Sequence, residues 1–304
     1  MSHIAWLGLG AMGSRMVALL LKSGHTVAVY NRSAEKSHAL SALGTQITVT
    51  PREAVQGAAF VFVMLRDDKA SRSVWTDAAT EALTGMSPGA VAIESSTLTP
   101  SWVRELGELV QAREVELLDA PVTGSRKAAE AGQLICLVGS QRAALDRVEP
   151  VLRAMGTAVH HAGPRGSGTL VKLMVNALYG VQVAAVAELL GLAQANGLDA
   201  VRALEILAAT PMASPVEKAA GTGMLEDRFA PSFTVDLMAK DFGWLCVVQC
   251  GPSGGPHSDY SGSSSGAISG LRERPGQRQR HRIVQAVPPA DLRRCLNHRI
   301  PSFI

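Results

Sequence analysis

Three glycines in Gly8-Leu9-Gly10-Ala11-Met12-Gly13 stand at the spacing of a phosphate-binding turn. The apolar run Ile4-Ala5-Trp6-Leu7 leads into it, and a helical pattern through Met16, Val17, Leu19, Leu20 and Leu21 follows at once. In that setting Gly8 permits a tight turn, Gly10 lets a pyrophosphate approach the backbone, and Gly13 lets the helix pack on the sheet. The phosphates would lie against the helix N-terminus, where free N–H groups and the dipole favour anions. An ordinary glycine turn gives the same letters. The strand before it, the helix after it and a second strand, Thr26-Val27-Ala28-Val29-Tyr30, supply the context that points to a dinucleotide.

The second strand ends in Asn31-Arg32-Ser33, where an NAD site usually presents Asp or Glu to the ribose hydroxyls. Asn and Ser can hydrogen-bond a phosphate without adding negative charge, and Arg32 can pair with a 2′-phosphate or stack on adenine. A solvated loop arginine is the plainer reading, and NADP(H) over NAD(H) is the expectation. A second chemical signal lies in the long apolar stretch from Gly168 to Gly197. Lys172 sits there among Leu170, Val171, Leu173 and Met174, and Asn176 follows four residues later, on the same helical face one turn on. A cation and an amide together on an apolar helix point to a polar pocket; a lysine snorkelling near the helix start is the alternative. Burial can draw a lysine pKa down from about 10.4 toward neutrality, as a proton-transfer group needs.

These residues need a scaffold to position them. Further strand candidates are Phe60 to Leu65, Ala90 to Glu94, Val115 to Asp119 and Leu134 to Val138, most of them separated by helical stretches. That alternation predicts a Rossmann-type, doubly wound, mostly parallel α/β sheet over residues 1–163. An all-α domain over 164–250 is expected to follow, centred on the Lys172 helix and incomplete at its end. The chain has 304 residues, 47% hydrophobic and 18% charged, enough for a sizeable aliphatic core and against global disorder. Absence of a charged n-region, of an 18-residue uninterrupted apolar run and of metal-like cysteine spacing predicts a cytoplasmic protein with no membrane span and no metal.

Residues 251–304 differ from the rest. They hold eight arginines, no lysine and three acids, a net of +5 against +3 for the whole chain. Seven Gly, eight Ser and six Pro crowd the same stretch, and periodicity disappears. A disordered, non-native C-terminus from an altered reading frame is expected. A genuine basic tail for nucleic acid is the weaker alternative, because aromatics do not interleave the charges.

Gly8 to Gly13, Asp119-Ala120-Pro121-Val122-Thr123-Gly124, and Lys172 with Asn176 resemble the β-hydroxyacid dehydrogenase family. The resemblance runs from Ile4 to Asp241. It implies an NAD(P)-dependent oxidoreductase that interconverts a small β-hydroxyacid and its semialdehyde or keto form, working as a homo-oligomer on a carboxylate-bearing substrate. By that resemblance Lys172 is the catalytic lysine, and Ser96, Thr123, Gly124 and Asn176 bind the substrate. Gly8, Leu9, Gly10, Ala11, Met12, Gly13, Asn31, Arg32, Ser33, Met64, Leu65, Thr97 and Lys240 would contact the cofactor. Gly124-Ser125, where the family commonly has paired glycines, is similar to the NADPH-using glyoxylate/succinic semialdehyde reductase branch. Imine reductases share the cofactor half and the Asn-Arg pair but typically replace the lysine, so Lys172 argues against them. A non-catalytic dinucleotide-binding scaffold is the reading from a different class.

Overall fold

The computed structural model describes residues 1–228 and 234–250, without the side chains of Val235 and residues 246–250. The expectations for 251–304 lie outside the described residues. The chain divides into two compact units, Met1–Lys172 and Leu173 onward.

The first unit is built on nine strands: β1 (His3–Leu7), β2 (Thr26–Tyr30), β3 (Gln46–Ile47), β4 (Phe60–Val63), β5 (Val91–Glu94), β6 (Glu116–Asp119), β7 (Val122–Thr123), β8 (Leu134–Gly139) and β9 (Gly156–Gly163). Its helices are α1 (Gly13–Lys22), α2 (Ala34–His38), α3 (Pro51–Val55), α4 (Asp68–Thr76), α5 (Pro100–Gln111), α6 (Arg126–Glu130) and α7 (Arg142–Arg153). The strand order is β3-β2-β1-β4-β5-β6-β8-β7, with β9 on β8. From β3 to β6 every pairing is parallel; β8 runs antiparallel to β6 and β7 but parallel to β9. The order reverses between β1 and β4, the switch point where a doubly wound sheet opens a crevice at its strand ends. The short strands β3 and β7, and β9, were not expected from the sequence. Two-residue strands carry no readable alternation, and β9 leaves most of its residues half-exposed or exposed.

Burial on both faces explains why β1 reads as an uninterrupted apolar run. Ile4 and Trp6 join the core under α1 and α7, while Ala5 and Leu7 join the one under α3 and α5. Trp6 stacks on Phe62 of the neighbouring strand at 5.1 Å and 10°. Each large side chain buried in this way is worth roughly 1.5–3 kcal/mol.

Helix α8 (Ser167–Ala195) begins in the first unit and continues into the second, which holds α9 (Ala200–Ala208), α10 (Pro215–Leu225) and α11 (Val235–Cys250). Val186 and Leu190 of α8 pack with Ala200 and Leu204 of α9. Gly221 of α10 fits beneath Leu204, where a Cβ would come within 2.7 Å. By length and composition α8 could cross a membrane, and a core helix of a soluble protein meets the same two criteria. Leu170, Met174, Leu178, Val181, Leu189 and Leu192, spaced mostly at three and four residues, form an exposed apolar stripe along it.

Candidate active site

The glycine turn closes the C-terminal end of β1. Gly8 adopts φ +108°, and a Cβ there would come within 2.3 Å of the Met64 carbonyl oxygen. A Cβ on Gly13 would lie 2.2 Å from the Gly8 carbonyl oxygen and 2.9 Å from Trp6 Nε1. That indole N–H donates to the Gly8 carbonyl at 3.0 Å, so the core tryptophan braces the turn from below. Gly10 and Ala11 are exposed, and a Cβ on Gly10 would meet no protein atom within 4 Å. Met12, at the N-cap of α1, makes no side-chain cap. An open cradle beside helix amides that no side chain caps fits a dinucleotide pyrophosphate.

Asn31 is engaged by the same turn. Its Oδ1 accepts the Leu9 amide at 2.9 Å, and its Nδ2 donates to the Ser33 carbonyl at 2.9 Å. The side chain therefore fastens the end of β2 to the glycine turn, which leaves Arg32 and Ser33 exposed beside it. Met64 and Leu65 follow β4 directly, half-buried across the switch point.

Ser96, expected to address substrate, follows the end of β5. It is 2% exposed, and its hydroxyl accepts the Leu65 amide at 2.7 Å. Thr97, next in the chain, is only half-buried. Thr123 lies in β7 opposite Ile135, and Gly124 follows at φ +138°, a conformation that favours glycine. Ser125 caps the short helix behind them by accepting the Ala128 amide.

Asp119, at the end of β6, belongs to the motif Asp119 to Gly124, which gave it no role of its own. It is completely buried, and its two oxygens accept the Gly166 and Thr169 amides, each at 2.6 Å. One carboxyl thus joins the start of the Thr123-Gly124 loop to the first turn of α8. Glycines allow the close approach: a Cβ on Gly139 would lie 2.4 Å from Asp119 Oδ1, and one on Gly168 would lie 2.3 Å from the Leu137 carbonyl oxygen. Burial raises the Asp119 carboxyl to about 6, against the pull of the Gly166 and Thr169 amides. Lys172, half-buried, comes one turn after this anchor.

In the second unit Asn176 is 8% exposed, and its Nδ2 donates to Asp241 Oδ2 at 2.6 Å. Asp241 is itself buried, and Lys240 Nζ lies 3.3 Å from its other oxygen. Lys240 also stands 4.1 Å over the Trp244 ring. Asp241 is the second residue that sequence reasoning passed over; its only signal was adjacency to Lys240. Among the described residues, no group of three metal-ligating side chains gathers.

A family model described as the NAD binding domain of 6-phosphogluconate dehydrogenase matches residues 3–163. A second, described as NAD-binding of NADP-dependent 3-hydroxyisobutyrate dehydrogenase, matches residues 166–248. The NAD-dependent L-serine dehydrogenase of Pseudomonas aeruginosa is 33% identical over 250 residues, covering 80% of this chain and 84% of that protein. The 3-hydroxyisobutyrate dehydrogenase of Mycobacterium tuberculosis, solved with L-serine, superposes with a TM-score of 0.73 at 31% identity, over 81% of this chain and 85% of that one. An imine reductase of Streptomyces aurantiacus superposes with a TM-score of 0.56 at 27% identity, over 75% of this chain and 76% of its own.

Proposed function

Because the chain belongs to the β-hydroxyacid dehydrogenase family of NAD(P)-dependent oxidoreductases, we propose that it interconverts a small β-hydroxyacid and its semialdehyde or keto form, with NADP(H) preferred. The observation that carries this reading is the pair Lys172 and Asn176, one turn apart on α8, with Asn176 held by the buried Asp241. A protein that only bound the dinucleotide would need neither.

When bound, the nicotinamide donates or accepts the hydride. Lys172 gives the carbonyl oxygen its proton during reduction and takes the hydroxyl proton during oxidation. Asn176 orients the substrate hydroxyl or carboxylate, and its bond to Asp241 keeps the amide from rotating away. The Thr123 hydroxyl and the Gly124 amide bind the substrate carboxylate as hydrogen-bond donors. Gly8 to Gly13 and the first turn of α1 take the pyrophosphate, with Met64, Leu65, Thr97 and Lys240 as further cofactor contacts. NADP preference is supported by the lack of an acid at Asn31-Arg32-Ser33 and by the exposed Arg32. The apolar stripe on α8 supports a soluble homo-oligomer, since a patch of that kind marks an association surface.

The test is turnover by the full chain on a panel of β-hydroxyacids, semialdehydes and cyclic imines with each nicotinamide cofactor. Turnover of a hydroxyacid–semialdehyde pair, faster with NADP(H), is expected. NADPH binding without turnover would support the scaffold reading, and turnover of imines alone would move the chain to the imine reductases.

A further inference from the structure

A buried carboxyl stands beneath the cofactor side of the sheet. Glu94 is the last residue of β5 and is 1% exposed. Its Oε2 accepts the Ser71 hydroxyl at 2.8 Å and the Trp75 indole N–H at 2.9 Å, while Oε1 accepts the Ser96 amide at 3.1 Å. Behind this layer the Trp102 indole N–H donates to Ser71 Oγ at 2.9 Å. Arg72 lies 3.9 Å over the Trp102 ring and grips Glu105 through its two terminal guanidinium nitrogens, at 2.5 and 2.6 Å. Burial pushes the Glu94 carboxyl above its ordinary range, against the pull of these donors.

A buried carboxyl is costly unless its oxygens are satisfied, and an apolar side chain would fill a core more cheaply. What this one adds is direction. Ser96 Oγ accepts the Leu65 amide, and Leu65 packs on the glycine turn: a Cβ on Gly8 would lie 2.8 Å from Leu65 Cδ2. A continuous chain of contacts therefore runs from Glu94 through Ser96 and Leu65 to Gly8. It joins the ends of β5, β4 and β1, the last two of which border the switch point.

We propose that Glu94 is a positioning residue for the dinucleotide. By holding Ser96 it fixes the Leu65 amide against the glycine turn and so sets the width of the crevice between the ends of β1 and β4. Its grip is on the Ser96 amide, while the Ser96 hydroxyl takes the Leu65 amide and Thr97 stays half-buried next to it. The proposal rests on the family's dinucleotide binding and not on the identity of the second substrate.

Glu94→Gln is a sharp probe, because the amide nitrogen must replace one oxygen. In either orientation it faces an obligate donor, the Trp75 indole or the Ser96 amide, and one buried N–H loses its acceptor. The dissociation constant of the full chain for NADPH, read from the fluorescence of the reduced cofactor, is expected to rise roughly tenfold, the scale of one lost hydrogen bond. The KM of the carbonyl substrate should stay within about twofold. Ser96→Ala should weaken NADPH binding in the same direction, and the double variant should lose less than the product of the two single losses. NADPH affinity within about twofold of the parent in Glu94→Gln, with only its melting temperature lowered, would overturn the proposal, since the carboxyl would then serve the core alone. If Glu94→Gln does not fold, Ser96→Ala decides on the same criterion. Because binding is read without turnover, failure of the substrate panel in the parent would sink the reaction class and leave this proposal standing.

Discussion

Asp119 offers a measurement in which burial and hydrogen bonding predict opposite signs. Its carboxyl is fully buried at the head of the helix that carries Lys172, and it accepts two backbone amides at 2.6 Å each. Burial favours the neutral acid and the amides favour the carboxylate; burial wins, raising the group from 3.8 to about 6. A carboxyl with a folded-state pKa above its unfolded value binds its proton more tightly in the folded protein. Its stabilising contribution is complete below about pH 4 and is lost as pH rises through about 6. At about 1.36 kcal/mol per pKa unit, the loss approaches roughly 3 kcal/mol by pH 7. Asp119→Asn carries no ionisation and hence none of this dependence. Urea unfolding of parent and variant between pH 4 and 7.5 should show the parent losing ground relative to Asp119→Asn by roughly 2–3 kcal/mol as pH rises. A parent that gains ground over the same window would mean that the two amides outweigh burial and that the helix anchor works as a carboxylate. The pH dependence of the Asp119 side-chain carbonyl resonance would give the same answer without unfolding.

Four further outcomes are expected. Lys172→Ala should lower kcat about a hundredfold or more, the scale of a lost general acid, with NADPH affinity nearly unchanged; near-normal kcat would remove Lys172 from proton transfer. Arg32→Ala should weaken NADPH binding and leave NADH little affected, because its side chain is exposed beside a strand end that carries no acid; equal losses for both cofactors would mean that Arg32 stacks on adenine. Gly10→Ala should keep the parent's melting temperature, since its Cβ meets no protein atom within 4 Å, yet lose dinucleotide affinity. Gly13→Ala should lose both, because its Cβ would come within 2.2 Å of the Gly8 carbonyl oxygen; equal melting temperatures for these two variants would contradict the packing described for the turn.

Local rules made much of the first unit legible. The strand at Ile4–Leu7, the turn at Gly8–Gly13 and the helix after it are consecutive in sequence, so spacing alone identifies them. The β-branched run at Thr26–Tyr30 and the apolar runs leading into β4, β5, β6 and β8 announce buried parallel strands for the same reason. The 29-residue helix from Ser167 to Ala195 was equally plain, as was the anomaly of a lysine and an asparagine within it.

Partners distant in the chain were decided by the tertiary structure alone. Asp119 meets amides 47 and 50 residues away, Asn176 meets Asp241 across 65 residues, and Ser96 meets Leu65 across 31. Nothing in the local pattern around Glu94 separates it from a solvated acid at a strand end. Only the fold places the Trp75 indole and two serines around it, with the Trp102 indole behind Ser71. Asn31 shows the same limit: its residue type suited a phosphate, and the pairing of β1 with β2 also brings it to the Leu9 amide, a contact the local pattern does not announce. Sequence therefore determined the elements and the chemistry they could carry, because both are encoded over a few residues. Which polar groups meet one another depends on long-range pairing, and the fold settled that.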